Sequence, residues 1–468
     1  MGTGNGAGII AFGKECTILR RFARAAGAAA LLALLAGVLS CGTPPAGKRR
    51  VFLIGIDGAT WDRIDPLLAE DRLPNLAALI DEGTRAPLAS LTPCRSPALW
   101  TTVATGKSFE KHGINDFTVV ETKYRPMRGT GKKKSEKSKT KGKKVTRTSR
   151  VMHMTSNLRK TKALWNIVGD QGGRSAFVGW WVTWPAEEVE GYMVSSHIPL
   201  SQTGTPDKPT KGTLHENVGN QTWPADLFDK LRPGIVSAED VVREDMLPFM
   251  DVLPGEMEMD LVKGFQWAWA ADETYRNAAV HLLETDPDLD LVAVYFNGVD
   301  VVGHRYWKYF EPAAYPPFPP EEIPRYGQVI ERYYEYTDGL LGEVLRYRRP
   351  GDTIIIVSDH GFHAHGHKDG PDGILIAAGD RIRPGSSPEK KTQLADITPT
   401  VLALLGYPVG LDMDGRVLEE LFTSAWKRDR PRDTVETHDT EEWKEQEAIP
   451  SDADEELLRR LRALGYIQ

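Results

Sequence analysis

Three aspartates and two histidines recur at matching places in three separate segments. Asp57 closes VFLIGID, Asp300 and His304 follow the apolar run of LVAVYFNGVDVVGH, and Asp359 and His360 follow that of TIIIVSDHGF. A further histidine, His367, lies in GHKDGPDG, with His363 and His365 just before it. Carboxylate oxygens and imidazole nitrogens are donors for zinc, and also suit manganese. Asp300 and His304 are four residues apart, so a helical turn puts both on one face. Singly, each has an ordinary explanation, as Asp57-Gly58 fits a turn after a strand; His112 in KHGINDF is outside the set and reads as structural. Together they suit a two-metal hydrolase, in which paired cations serve the entering and leaving oxygens of a displacement.

Elements of a particular kind must position them. Each cluster follows a short apolar run that reads as a buried strand, and strands are expected at 51–56, 175–180, 289–296, 353–358 and 373–378. Between them lie helical patterns: LPNLAALIDEG, KALWNIVGDQG, TYRNAAVHLLETD and GQVIERYYEYTDGLLGEVLRYR. Strands alternating with helices imply an α/β fold with a mostly parallel sheet flanked by helices. In such sheets ligands gather at the carboxyl ends of the strands. Three strands would then deliver the Asp and His side chains to one rim.

A hydroxyl stands at a suggestive place too. Ser96 heads SPALWTTVATG, a helical stretch ending at Gly106. Serine is favoured at a helix start in any case. With the ligand segments in this order, the chain resembles the alkaline phosphatase superfamily, and within it the type I phosphodiesterase/nucleotide pyrophosphatase group. The resemblance covers 51–120, KALWNIV, GWWVTWPAE, 289–310 and 353–420. It implies an alkaline phosphatase-like fold with a cap insertion and two divalent ions, usually zinc. Asp57, Asp359 and His360 would hold one ion together with Ser96, the covalent nucleophile. Asp300, His304 and His367 would hold the other. His367 is preferred over His363 and His365 because GHKDGPDG resembles the family's last ligand segment.

The match has departures. Nucleotide pyrophosphatases often carry threonine where this chain has Ser96, and the hydroxyl chemistry survives that change. They also place a phosphate-binding asparagine shortly after HGI, and Asn115 is the nearest candidate, at an offset that does not align cleanly. Sulfatases of the superfamily need C/S-x-P-x-R. From Ser96 the chain has Ala98 and Trp100 at the proline and arginine offsets, and from Cys94 the pattern fails at the same offsets. Aromatics cluster in GWWVTWP and HRYWKYFEP. They read mainly as packing, with Trp307, three residues past His304, as a candidate substrate contact.

Residues 1–40 read as a lipoprotein-type signal. Lys14, Arg20, Arg21 and Arg24 precede the apolar run AGAAALLALLAGVLS, which ends at Cys41 in the lipobox-like VLSC. That run is short for a membrane span. Cys41 would be lipidated, leaving a membrane-anchored protein of the cell envelope, facing the periplasm. Only Cys94 would then remain in the mature chain beside it, which excludes an intrachain disulfide between free thiols. The formal charge is −7. Removing the basic leader makes the rest more acidic, which argues against a nucleic-acid polymer as partner.

The expected organisation is a linker at 41–50, a catalytic domain over 51–425 and a charged tail with a short helix over 426–468. Within the domain, 121–155 reads as a flexible loop with a lysine-rich centre, GKKKSEKSKTKGKK, and 201–271 as a cap insertion. The expected activity is cleavage of a small-molecule or headgroup phosphate ester through a phosphoseryl intermediate, as a phosphodiesterase/nucleotide pyrophosphatase or phosphatase. A phospho-group transferase or mutase would use the same residues. A non-catalytic envelope binding module would be marked by loss of a ligand or of the nucleophile, and neither is lost.

Overall fold

A computed structural model describes residues 50–126, 145–198, 201–202, 213–214, 218–251, 259–364, 366–367, 371–388, 390–429, 433–451 and 454–464. The signal segment with Cys41, the lysine-rich stretch 131–144, His365 and parts of 201–271 lie outside the described residues. No helix among the described residues is long and apolar enough to cross a membrane.

Nine strands form one mixed sheet. In chain order they are β1 (Val51–Ile56), β2 (Thr84–Ala89), β3 (Ser175–Val178), β4 (Gly191–Val194), β5 (Thr222–Trp223), β6 (Leu291–Phe296), β7 (Thr353–Val357), β8 (Gly373–Gly379) and β9 (Thr392–Gln393). Their spatial order is β9-β2-β8-β7-β1-β6-β3-β4-β5. The five strands β7-β1-β6-β3-β4 are all parallel, and antiparallel neighbours flank them on both sides. The five strands expected from the apolar runs are β1, β3, β6, β7 and β8, with ends shifted by a residue or two, and β2, β4, β5 and β9 are additional.

β1 is the keystone of the site. Its six residues are all buried, as a parallel strand covered on both faces requires. Burying each of its large apolar side chains contributes about 1.5–3 kcal/mol. β1 pairs with β6, Ile56 opposite Phe296, and with β7, Gly55 opposite Val357. Neighbouring strands lie ~4.8 Å apart. The carboxyl ends of β7, β1 and β6 are therefore side by side and level.

Helices α1 (Ser96–Thr105), α2 (Met259–Thr285), α3 (Gly298–Phe310), α4 (Val329–Leu345) and α5 (Asp454–Leu464) matter most to the site. Helix α2 begins at Met259, not at Thr274 where its periodic pattern becomes plain. Its first half carries Phe265, Trp267 and Trp269, large residues serving several surroundings at once, which hides the 3.6-residue period. Residues 259–271 thus belong to a helix packed on β6 and α3. The segment 121–155 likewise has ordered arms. The strands Thr118–Pro126 and Val145–His153 pair antiparallel, and His153 is buried. The terminal helix α5 docks on the domain.

Candidate metal centre

The three strand ends deliver the ligands. Asp57 follows β1 directly, Asp359 and His360 follow β7 after Ser358, and Asp300 and His304 lie in α3, which starts just after β6. Asp57, Asp300 and Asp359 are each at most 1% exposed, as is His360. Two triads result. Asp57, Asp359 and His360 bring one donor atom each within 4.8 Å of one another, and Asp300, His304 and His367 do the same. His360 joins them: its Nε2 lies 3.2 Å from Asp57 Oδ1, 3.6 Å from Asp359 Oδ2 and 3.9 Å from Asp300 Oδ1. Its ring stacks on His367 at 4.2 Å.

The donor set fits divalent cations. Asp57 Oδ1, both carboxylate oxygens of Asp359 and Nε2 of His360 are buried without hydrogen-bond partners. Such groups are costly to bury unless a further charge satisfies them. The proton affinities agree. Burial and the neighbouring Asp57 push Asp359 far above the usual carboxylate range. Burial also opposes ionisation of Asp57, yet the His360 imidazole 3.2 Å away and the hydrogen bond from Tyr295 hold it down at about 2. Two adjacent carboxylates in a dry site share a proton in this way. His360 is disfavoured as a cation by burial but raised well above its ordinary value by Asp359 and Asp57. Burial and the nearby His360 push His304 and His367 down to about 4, so both are neutral imidazoles at pH 7. A site that holds protons against burial on one side, and offers neutral imidazoles on the other, is suited to replace those protons with metal.

Ser96 is the first residue of α1 and is fully buried, with no hydrogen-bond partner for its Oγ. Its neighbours along the chain tie it to the ligands. Two residues earlier, Cys94 Sγ lies 3.2 Å from His367 Nδ1. Four residues later, Trp100 Nε1 donates to Asp57 Oδ2 at 3.0 Å. Trp100 can lie against β1 only because residue 55 is glycine: a Cβ there would meet the indole ring at 2.7 Å. Gly58 serves likewise, with φ at +73° and Asp300 Cβ only 2.9 Å from where its own Cβ would stand. Asn115 is exposed in the loop before the strand Thr118–Pro126. Trp307 is buried, 4.9 Å from Phe362, and its Nε1 donates to Glu311 Oε2. Phe362 in turn meets the His304 ring at 4.9 Å.

The family model for type I phosphodiesterase/nucleotide pyrophosphatase matches residues 51–447. The chain belongs to that family. It is a hydrolase of the alkaline phosphatase superfamily. No curated protein matches it. Among solved structures, a sulfatase from Bacteroides thetaiotaomicron described as putative shares 12% identity at a TM-score of 0.48, over 80% of this chain and 74% of that one. A 2-O GAG sulfatase shares 12% identity at 0.47, over 79% and 73%. A phosphonoacetate hydrolase from Sinorhizobium meliloti, solved with phosphonoformate, shares 18% identity at 0.37, over 68% and 57%.

Several residues around the hydrolase's centre carry no signal in the motifs. Tyr295 donates its hydroxyl to Asp57 Oδ2, and only the pairing of β6 beside β1 places it there. Trp100 was detectable in principle, one helical turn after Ser96. Cys94 forms a third donor group with His360 and His367. Burial pushes its thiol up to about 12. Asp272 of α2 accepts from the backbone N–H groups of Asn297 and Gly298 at 2.9 and 3.1 Å, and from the Tyr333 hydroxyl at 3.0 Å. It thereby pins the start of the helix that carries Asp300 and His304. Burial raises its carboxyl to about 7 despite those hydrogen bonds. Asp272→Ala would leave buried donors unpaired, at about 1–3 kcal/mol each. We expect a stability loss of about 2–4 kcal/mol in urea unfolding. Calorimetric titration should show the second, Asp300-side metal site weakened more than the first.

Proposed function

We propose that this protein is a two-metal phosphoric ester hydrolase of the phosphodiesterase type, acting through a phosphoseryl intermediate on Ser96. The observation that carries the reading is the pair of triads Asp57/Asp359/His360 and Asp300/His304/His367, joined through His360 at the strand ends, with a buried, unpartnered serine hydroxyl in the segment whose Cys94 and Trp100 touch His367 and Asp57. Each triad would hold one divalent ion, zinc or manganese by donor type. When bound, the ions supply positive charge that polarises the phosphoryl group and favours the ionised form of the serine hydroxyl. Ser96 Oγ forms a bond to phosphorus as the bond to the leaving alcohol breaks, and the serine proton ends on that alcohol. Water then splits the phosphoseryl bond and returns a proton to Ser96. As the first residue of α1, Ser96 also sits at the helix's positive end, which favours the charge gathering there. Asp57 is held in one orientation by Trp100 and Tyr295, so its free oxygen faces His360. Of the proposed substrate contacts, Asn115 is open to a ligand, whereas Trp307 would act by backing Phe362 against His304.

The test is a panel of aryl phosphate monoesters and diesters assayed with zinc and with manganese. Metal-dependent release of the aryl alcohol, with a labelled phosphoseryl adduct trapped by acid quench, is expected. Absence of turnover on every member would remove the reading. Transfer of the phosphoryl group to an added alcohol in preference to water would make the protein a transferase.

The leader motif supports a second proposal, attachment of lipid at Cys41 and anchorage in the cell envelope. Mass spectrometry of the native N-terminus should find Cys41 first and carrying acyl mass. A mature chain that starts elsewhere without that mass would refute the anchor.

A further inference from the structure

Beside the metal centre lies a cavity of about 130 Å³. Two residues join it to the site: Pro97, which follows Ser96, and Tyr295, which donates to Asp57. Its wall is chiefly aromatic and aliphatic, including Trp181, Trp184, Trp267 and Tyr275, and carries no lysine, arginine, aspartate or glutamate. A cavity of roughly 150 Å³ lined by apolar side chains is large enough for benzene. A phosphoryl group would find no charged partner here, but a ring of that size would find walls of its own kind.

One side of the cavity comes from the end of the chain. Leu457 and Leu461, four apart on α5, line it. Helix α5 is fastened at its first residue. Asp454 Oδ1 meets His153 Nδ1 at 2.5 Å, while Oδ2 accepts from Arg150 at 2.9 Å and from the Ser451 N–H at 3.2 Å. His153 is 4% exposed and lines the cavity, and its Nε2 has no hydrogen-bond partner. The cavity's other polar side chains include Ser196, His197 and Asn297. A nearly buried imidazole nitrogen left unpaired on a mostly apolar wall is a group open to a ligand.

We infer that this cavity receives one organic arm of the ester, a single-ring or similarly compact apolar alcohol. His153 Nε2 hydrogen-bonds its one polar substituent, and the Asp454–His153 pair is the latch that holds α5 as the cavity wall. The inference rests on the phosphoesterase reading for the reaction, but not for the pocket. The anionic phosphoryl group belongs to the metal centre, and the uncharged arm to the cavity next door. Substrate choice would thus be set partly by the last turns of the chain.

The test compares phenyl 4-nitrophenyl phosphate with methyl 4-nitrophenyl phosphate on the full chain with zinc, each rate corrected for intrinsic reactivity. The phenyl ester should have a kcat/KM higher by about tenfold or more, the scale of filling an apolar pocket. Leu461→Trp, which fills the cavity, and Asp454→Asn, which loosens the latch, should each bring that ratio down toward one. Circular dichroism and metal content identify variants that have folded. A native ratio near one, or a ratio that neither folded variant changes, overturns the inference. If neither ester is cleaved, the phosphoesterase reading fails by itself, and calorimetric titration with phenol, which needs no phosphoryl site, judges the cavity. Saturable binding that Leu461→Trp removes supports it, and no binding to the native protein refutes it.

Discussion

Ser96→Ala is expected to reduce ester cleavage by roughly 10⁴-fold or more while leaving the fold and most metal binding in place. The side chain removed is small, and its Oγ makes no hydrogen bond that the fold would miss. Helix α1 keeps its packing, since all ten of its residues are buried and only one oxygen is lost. Asp57, Asp359 and His360 would still hold their ion. The loss should therefore fall on kcat with metal content unchanged, as measured by steady-state kinetics beside elemental analysis. Near-normal turnover would refute the covalent route and favour direct attack by water. Cys94→Ala is not a neutral control for this experiment, despite lying outside every motif. Its sulfur is 3.2 Å from His367 Nδ1, so a shift in metal affinity is expected from that change as well.

Stripping the metal should abolish turnover and lower the melting temperature, and adding zinc should restore both. Three carboxylates are buried around one imidazole, and only a cation compensates them fully. Ligand at a thousandfold its Kd stabilises the folded state by about 4 kcal/mol. The pH dependence follows from the direction of each shift. Asp359 and His360 are both raised, so the metal-free site holds protons at neutral pH that the ion must displace. His304 and His367, pushed down to about 4, are already neutral there and release nothing. Zinc binding near pH 7 should therefore release at least one proton, and affinity should fall as the pH falls. Calorimetry in buffers of different ionisation enthalpy measures that release. Zinc binding with no proton released and no gain in melting temperature would contradict the assigned ligands.

The motifs made the cluster legible because its aspartates and histidines follow compact, fully apolar runs. VFLIG before Asp57 and TIIIV before Asp359 can be little else than buried strands, and a carboxylate at such an end is conspicuous. The spacing of Asp300 and His304 states a helix face outright. What supports these residues is another matter. Asp272 reaches α3 from a helix whose first half shows no clean period. His153 meets Asp454 across 301 residues of sequence. Tyr295 serves Asp57 only because β6 happens to be the neighbour of β1. Such pairings are decided by strand order and packing, and no local pattern encodes them. Length and composition also hide that α5 walls a cavity, because an amphipathic terminal helix reads the same wherever it docks.

The order of strands at the centre carries a consequence for how the protein matures. β1 near the start of the domain is zipped between β6 and β7, whose partners to Val51 are Leu291 and Thr353. Contacts of such long sequence separation form slowly, because loop closure must be met before any pairing is gained. Neither triad is local: Asp57 is parted from Asp359 by most of the domain, and Asp300 from His367 by α4 and β7. A divalent ion bound by these triads would therefore not nucleate folding as zinc does in a small finger domain, where ligands are local. The ion should be captured late, by a chain whose parallel core has already assembled. Refolding with and without zinc should then proceed at similar rates to the sheet, with the metal affecting only the final, slow gain of stability.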